Sequence, residues 1–220
     1  KTIKGNIDSL VTEAKIRNYN SSIEASLYSD NIDISVYNNL IDTVSNNMDK
    51  IYKYFNLKKK ILGIKDYHIY DVYLDMIPEF DKHYEFEEAK KLVINALKPL
   101  GEDYIKTLNK AFDERWIDIY NNKGKRGGAY SSGFYDTNPF VLLNYEGTYH
   151  DVSTLAHELG HSMHTYYSCH NNPYQQSNYK IFVAEVASTV NELLLAKYML
   201  KNSKDKQEKL FILNQLLELY

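Results

Sequence analysis

The chain has 220 residues, 44% hydrophobic and 25% charged, with a formal net charge of −3. Those proportions are ordinary for a globular protein able to bury one core or two small ones. The mild acidic balance argues against a dedicated nucleic-acid binder, and no apolar run approaches the roughly 18 residues of a membrane span, so neither nucleic acid nor membrane is expected as a partner.

The first 120 residues read as successive helices. Apolar residues recur at three-to-four spacing over 7–18, 35–55, 85–98 and 103–120. Asp33 or Ser35 is placed to cap the second, and Pro99-Leu100-Gly101 separates the third from the fourth. Between them, residues 67–80 mix apolar and polar positions up to Pro78, which reads as an extended connector. The composition changes at Asn121. Residues 121–128 form a basic, turn-rich loop, read as solvated because no following helix offers an anion site. Residues 129–133 and 140–145 read as two short strands, the second stronger because it is rich in β-branched and aromatic side chains. A helix containing residues 151–167 follows, then a loop over 169–178 with Pro173. A second long helix spans 179–202, and another begins at Lys204. The expected fold is mainly α with a small antiparallel β element, divided into a helical region (1–120) and a region of short strands and long helices (121–220).

Cys169 is the single cysteine, which precludes an internal disulfide and suits a reducing, cytoplasmic setting. The 21 tyrosines reflect codon usage more simply than function. The N-terminus is not a signal peptide and lacks Met, and the C-terminus falls inside an amphipathic pattern. Both ends read as cut, and a fragment of a longer protein is expected.

Residues 157–161 read His-Glu-Leu-Gly-His, the H-E-x-x-H pattern. On a helix, positions four apart differ by about 40° in azimuth, so His157 and His161 project from one face and can share one ion. Glu158 lies about 100° round, angled so that its carboxylate can reach a metal-bound water. Val152, Leu155, Ala156, Leu159 and Met163 provide the helical apolar spacing, with Asp151 or Ser153 available as a cap. A catalytic zinc takes three protein ligands, leaving a position for water. His164 is seven residues from His157, about 10 Å along the axis. Three ligands on one straight helix converge poorly, so His164 is expected to pack or hydrogen-bond near the site, not to bind metal. Position 164 is not Gly and position 167 is Tyr, which excludes the extended metzincin pattern. The third ligand is sought on the next helix. Glu185 interrupts a small, apolar stretch, where a buried carboxylate needs a partner such as Zn²⁺. Ala184, Ala187 and Ser188 allow two helices to approach closely. Glu192, two turns on, is suited to accept a hydrogen bond from a ligand imidazole.

With these residues in view, the chain resembles the oligoendopeptidase F family, among the thimet-oligopeptidase-like zinc metallopeptidases. The matching runs are Asn6–Asp8 through Ala25–Leu27, Gly124–Gly133, Pro139–Tyr145, His157–His164 and Phe182–Glu192. The resemblance implies one Zn²⁺ held by His157, His161 and Glu185, with Glu158 as the catalytic carboxylate, in a zincin-like catalytic region over 121–220. It implies oligopeptide substrates in a channel walled by helices, including the helical first half. It also implies an internal fragment, since the family carries helical sequence before this segment and a Tyr- and His-containing stretch after it. Residues 140–145 are a candidate edge strand for pairing with extended substrate, with Leu142 and Asn144 as candidate contacts. A different class of function is a non-catalytic, zinc-stabilised peptide-binding module, against which an intact Glu158 argues. A zinc carboxypeptidase is weaker, because no basic residue is evidently placed to hold a terminal carboxylate.

Overall fold

A computed structural model describes residues 1–77 and 82–219, the last of these without its side chain. The chain divides into two compact units, Lys1–Met76 and Ile77–Tyr220. The expected boundary at 120/121 follows composition, whereas two helices before it pack within the second unit. The Pro78 end of the expected connector lies outside the described residues.

The first unit contains helices α1 (Thr2–Ile16), α2 (Ser22–Tyr28), α3 (Ile34–Asn46) and α4 (Met48–Leu62). Asp33 caps α3 by accepting the Ser35 N–H, 2.8 Å away. The run expected as one helix over 35–55 is two, with Asn47 outside both. The turn of chain at Ile69–Tyr73 is a short 3₁₀ helix, in place of an extended connector. Its N-terminus is closed by the Asp71 carboxylate, which accepts the His68 N–H at 2.7 Å.

The second unit contains α5 (Phe86–Leu97), α6 (Glu102–Asp113), strands β1 (Ile117–Asp118), β2 (Tyr130–Ser132) and β3 (Phe140–Leu142), then α7 (Tyr149–Asn171), α8 (Ile181–Asn202) and α9 (Lys206–Leu219). Helix α6 ends at Asp113, short of the expected 120, and the chain leaves it to form β1. The sheet order is β1-β3-β2, with β1 parallel and β2 antiparallel to β3. The sheet is therefore mixed, the expected antiparallel pair joined by a third strand. The core is built from Val93 and Leu97 of α5, Leu108 of α6, Trp116, Val141, and Leu155, Leu159 and Met163 of α7, with Leu195 of α8 and Ile212 of α9. All of these are at most 2% exposed, so the fully apolar face of α7 fixes which of its faces remains for polar side chains. No described helix is long and apolar enough to cross a membrane.

Candidate metal centre

Helix α7 begins with a reciprocal cap. Asp151 N donates to Thr148 Oγ1 at 3.2 Å, and Thr148 N donates to Asp151 Oδ2 at 2.9 Å. The cap is thus Thr148, a turn earlier than Asp151 or Ser153. With α7 set in that phase, Leu155 and Leu159 face the core while His157 and His161 face α8. Their Nε2 atoms are 3.1 Å apart.

The two long helices touch backbone to backbone at Gly160. A Cβ built there would lie 2.7 Å from Ser188 Cα and 2.8 Å from the Ala187 carbonyl oxygen. Side chains thicker than hydrogen are thus excluded at this crossing. Asn191 ties the same pair together: its Nδ2 donates to the Ala156 carbonyl at 3.0 Å, and its Oδ1 accepts the Tyr104 hydroxyl at 3.0 Å. It is 1% exposed, so both bonds are shielded from water.

This close crossing brings Glu185 to the imidazoles. Glu185 Oε2 is 3.4 Å from His157 Nε2 and 3.4 Å from His161 Nε2. The three donors form a triangle with edges of 3.1, 3.4 and 3.4 Å. Ligands about 2.0–2.1 Å from a tetrahedral zinc sit about 3.3–3.4 Å from one another. The residues fit a divalent ion in donor type and in spacing. His157 Nδ1 is 3.1 Å from Glu192 Oε2, and Glu192 Oε1 accepts the Ser153 hydroxyl at 3.2 Å. A proton on Nδ1 frees the Nε2 lone pair to face the triangle. Ser153 is bonded to the acid and not to the ring, so this cluster is not a serine nucleophile with its base.

Hydrogen bonding to Glu192 is the main reason that the His157 imidazole holds its proton above the usual histidine range; burial opposes it. Burial, helped by the charge of His157, pushes His161 down. Glu158 is only 7% exposed. Burial raises its carboxyl above the usual carboxylate range, and Glu185 adds to the rise, while His157 and the backbone N–H of Ser131 oppose it. The Ser131 amide comes from β2, which has β3 on one side and no other described strand on its far side. Ser131 Oγ lies 2.8 Å from Ser162 Oγ, fastening that strand to α7.

Other expectations need correction. Strand β3 lies between β1 and β2, so its backbone bonding edges are taken and it is not an edge strand for substrate. Leu142 is paired with Asp118 on one side and Tyr130 on the other. Asn144 Nδ2 donates to the carbonyls of Arg126 and Gly128, both at 2.8 Å, so it braces the basic loop. His164 needs no such correction: it packs, stacking on Tyr179 with ring centroids 3.7 Å apart, outside the triangle. Glu185 is 57% exposed at its side chain, so the burial argument that singled it out does not hold. Ser131 and Ser188, which contact the two acids, lie inside the matching runs Gly124–Gly133 and Phe182–Glu192 but were given no role at the acids; only the fold brings Ser131 to Glu158, 27 positions further along the chain.

The model for peptidase family M3 matches residues 1–219. The chain is 43% identical over 217 residues to Oligopeptidase PepF of Bacillus subtilis, covering 99% of this chain and 32% of that protein. A solved chain from Chlamydophila abortus superposes with a TM-score of 0.89 at 49% identity, over 99% of this chain and 36% of that one. The crystal structure of oligoendopeptidase-F from Enterococcus faecium gives 0.65 at 30% identity, over 96% and 30% of the two chains. The chain thus spans about a third of the length of the relatives it matches. A match running from Lys1 to Leu219, with the two-helix cluster inside it, means that this chain belongs to peptidase family M3, beside proteins named oligoendopeptidase F.

Proposed function

We propose that this chain carries the metal centre of a zinc endopeptidase that hydrolyses short oligopeptides. The single observation that carries the reading is the triangle of His157, His161 and Glu185, with the buried Glu158 beside it. His157, His161 and Glu185 would hold one Zn²⁺. Bound there, zinc supplies Lewis acidity, lowering the pKa of water and polarising a peptide carbonyl. Glu158 takes the proton of the attacking water and returns it to the leaving amine. Its seclusion from bulk water suits the task, because a carboxylate with a raised pKa is a stronger base. Glu192 holds the His157 ring, so that the imidazole neither rotates nor turns its N–H toward the metal.

An endopeptidase needs no anchor for a terminal carboxylate, and the polar side chains described as bonding to the triangle are Glu192 and Ser188, neither of them basic. A single free cysteine suits the cytoplasm.

The test pairs two variants. His157→Ala should abolish stoichiometric zinc, measured by elemental analysis of the purified chain. Glu158→Gln should retain zinc yet lose cleavage of a quenched oligopeptide by about 10²-fold or more in the full-length enzyme. Unchanged zinc in the first, or near-normal turnover in the second, rejects the corresponding role.

A further inference from the structure

The members of the triangle are not held alike. His157 is fastened through Nδ1 to Glu192, 3.1 Å away. Glu185 is the weakly placed one. Its side chain is 57% exposed, and Ile181, Phe182, Val183 and Val186 around it are exposed apolar side chains with no polar group to offer. A glutamate with three free torsions in such a setting has no reason to stand over two imidazoles. The contact that holds it is Ser188, one turn further along α8. Ser188 Oγ lies 2.8 Å from Glu185 Oε2, the same oxygen that faces both imidazoles. Ser188 is itself fully buried.

The hydroxyl has one proton and two acceptors within reach. The alternative is the Glu185 carbonyl at 3.0 Å, which already accepts the Thr189 hydroxyl at 2.6 Å. The carboxylate is closer, charged and less used, so the proton belongs to Oε2. A carboxylate oxygen has two lone pairs. With Ser188 on one, the other is left to point at the imidazoles.

We propose that Ser188 is the positioning residue of the third ligand: its hydroxyl locks Glu185 so that one oxygen, Oε2, is presented to the metal. This rests on the zinc reading above. The consequence is a carboxylate that binds through one oxygen and leaves room for water. Without the hydroxyl, Glu185 turns to solvent and the centre keeps two ligands. The buried backbone of α8 does not need Ser188 Oγ for its own hydrogen bonds, so the fold should not notice its removal.

The experiment compares Ser188→Ala with Thr189→Ala in the chain. Thr189 is adjacent and also bonds back to the Glu185 carbonyl, but it does not touch the carboxylate. Zinc affinity is read by competition with a chromophoric chelator, and ligand number by the visible spectrum of the Co²⁺-loaded protein. Thermal melts of the metal-free forms report the fold. Ser188→Ala should weaken zinc by about 10–100-fold and shift the Co²⁺ bands, with an unaltered metal-free melt. Thr189→Ala should stay within about twofold of the parent. Parent-like affinity and spectrum in Ser188→Ala would overturn the proposal alone. So would a lowered metal-free melt with parent-like zinc affinity, which marks a merely structural serine. A parent chain that binds no zinc would overturn the zinc reading and this one together.

Discussion

Substitution of Gly160 by alanine tests whether the close crossing of α7 and α8 builds the metal centre. In an isolated helix the change would be favourable by about 1 kcal/mol, because glycine is a poor helix former. Here the new methyl meets Ser188 Cα at 2.7 Å and Ser188 N at 2.9 Å, where ordinary contact begins at 3.4 Å. The helices must therefore separate by about 0.5–0.7 Å, the difference between those distances. The obstructing atoms are backbone, so no rotamer change relieves the clash. Glu185 rides on α8 three residues before Ser188. Its Oε2 would move from 3.4 Å to about 4 Å from the imidazole nitrogens, beyond the edge of a tetrahedral site at about 3.3–3.4 Å. Closing the centre again would cost about 1–3 kcal/mol of overpacking. That is about 5–150-fold in zinc affinity. Chelator competition measures the affinity, and thermal melts with and without zinc measure the coupling to stability. The reasoning is refuted if Gly160→Ala binds zinc like the parent and melts at the same or a higher temperature.

Two further outcomes follow from buried groups that do not belong to the triangle. Asn191→Ala should destabilise the chain by about 1–3 kcal/mol, because the Tyr104 hydroxyl loses its acceptor inside the protein; an unchanged urea midpoint would show that the Asn191 clamp contributes nothing. Burial pushes Tyr104 and Tyr149 up to about 12, from an ordinary value near 10. Their protons are then held more tightly folded than unfolded, so their stabilisation is complete below about pH 10 and is lost as pH rises toward 12. Melts between pH 8 and 11.5 should fall with pH, less steeply after Tyr104→Phe and Tyr149→Phe together; an identical slope in that variant would remove these tyrosines as the cause.

What the sequence disclosed and what it withheld divide along local and non-local physics. Four-residue spacing on a helix is a local matter, and it sets His157 and His161 together before any tertiary contact forms. The residues of α5, α7 and α8 show the same 3.6-residue rhythm, and their positions emerge within a few residues of expectation. The 3₁₀ turn at Ile69–Tyr73 is too short for periodicity to signal. Strand β1 has two residues and takes its identity from β3, paired 24 positions away. The misreading of β3 has the same root. A run rich in valine, leucine and phenylalanine resembles a strong strand because it suits burial with neighbours on both sides. That strength is evidence for a central strand and not for a free edge.

Glu185 marks the limit of what local composition can say. An acid in an apolar stretch is expected to be buried and paired. In the structure the apolar neighbours Ile181, Phe182 and Val186 are exposed beside it, so desolvation does not force Glu185 toward the imidazoles. Attraction alone is weak at a half-exposed site, where solvent screens the charge. What remains is geometry: a glycine that lets α8 approach, and a buried hydroxyl that restrains one carboxylate oxygen. Neither Gly160 nor Ser188 carries a charge, and neither would be selected by a search for ligands. The smallest side chains of the two helices determine where the acid stands, so substitutions there should move zinc affinity more than changes to the exposed apolar residues surrounding Glu185.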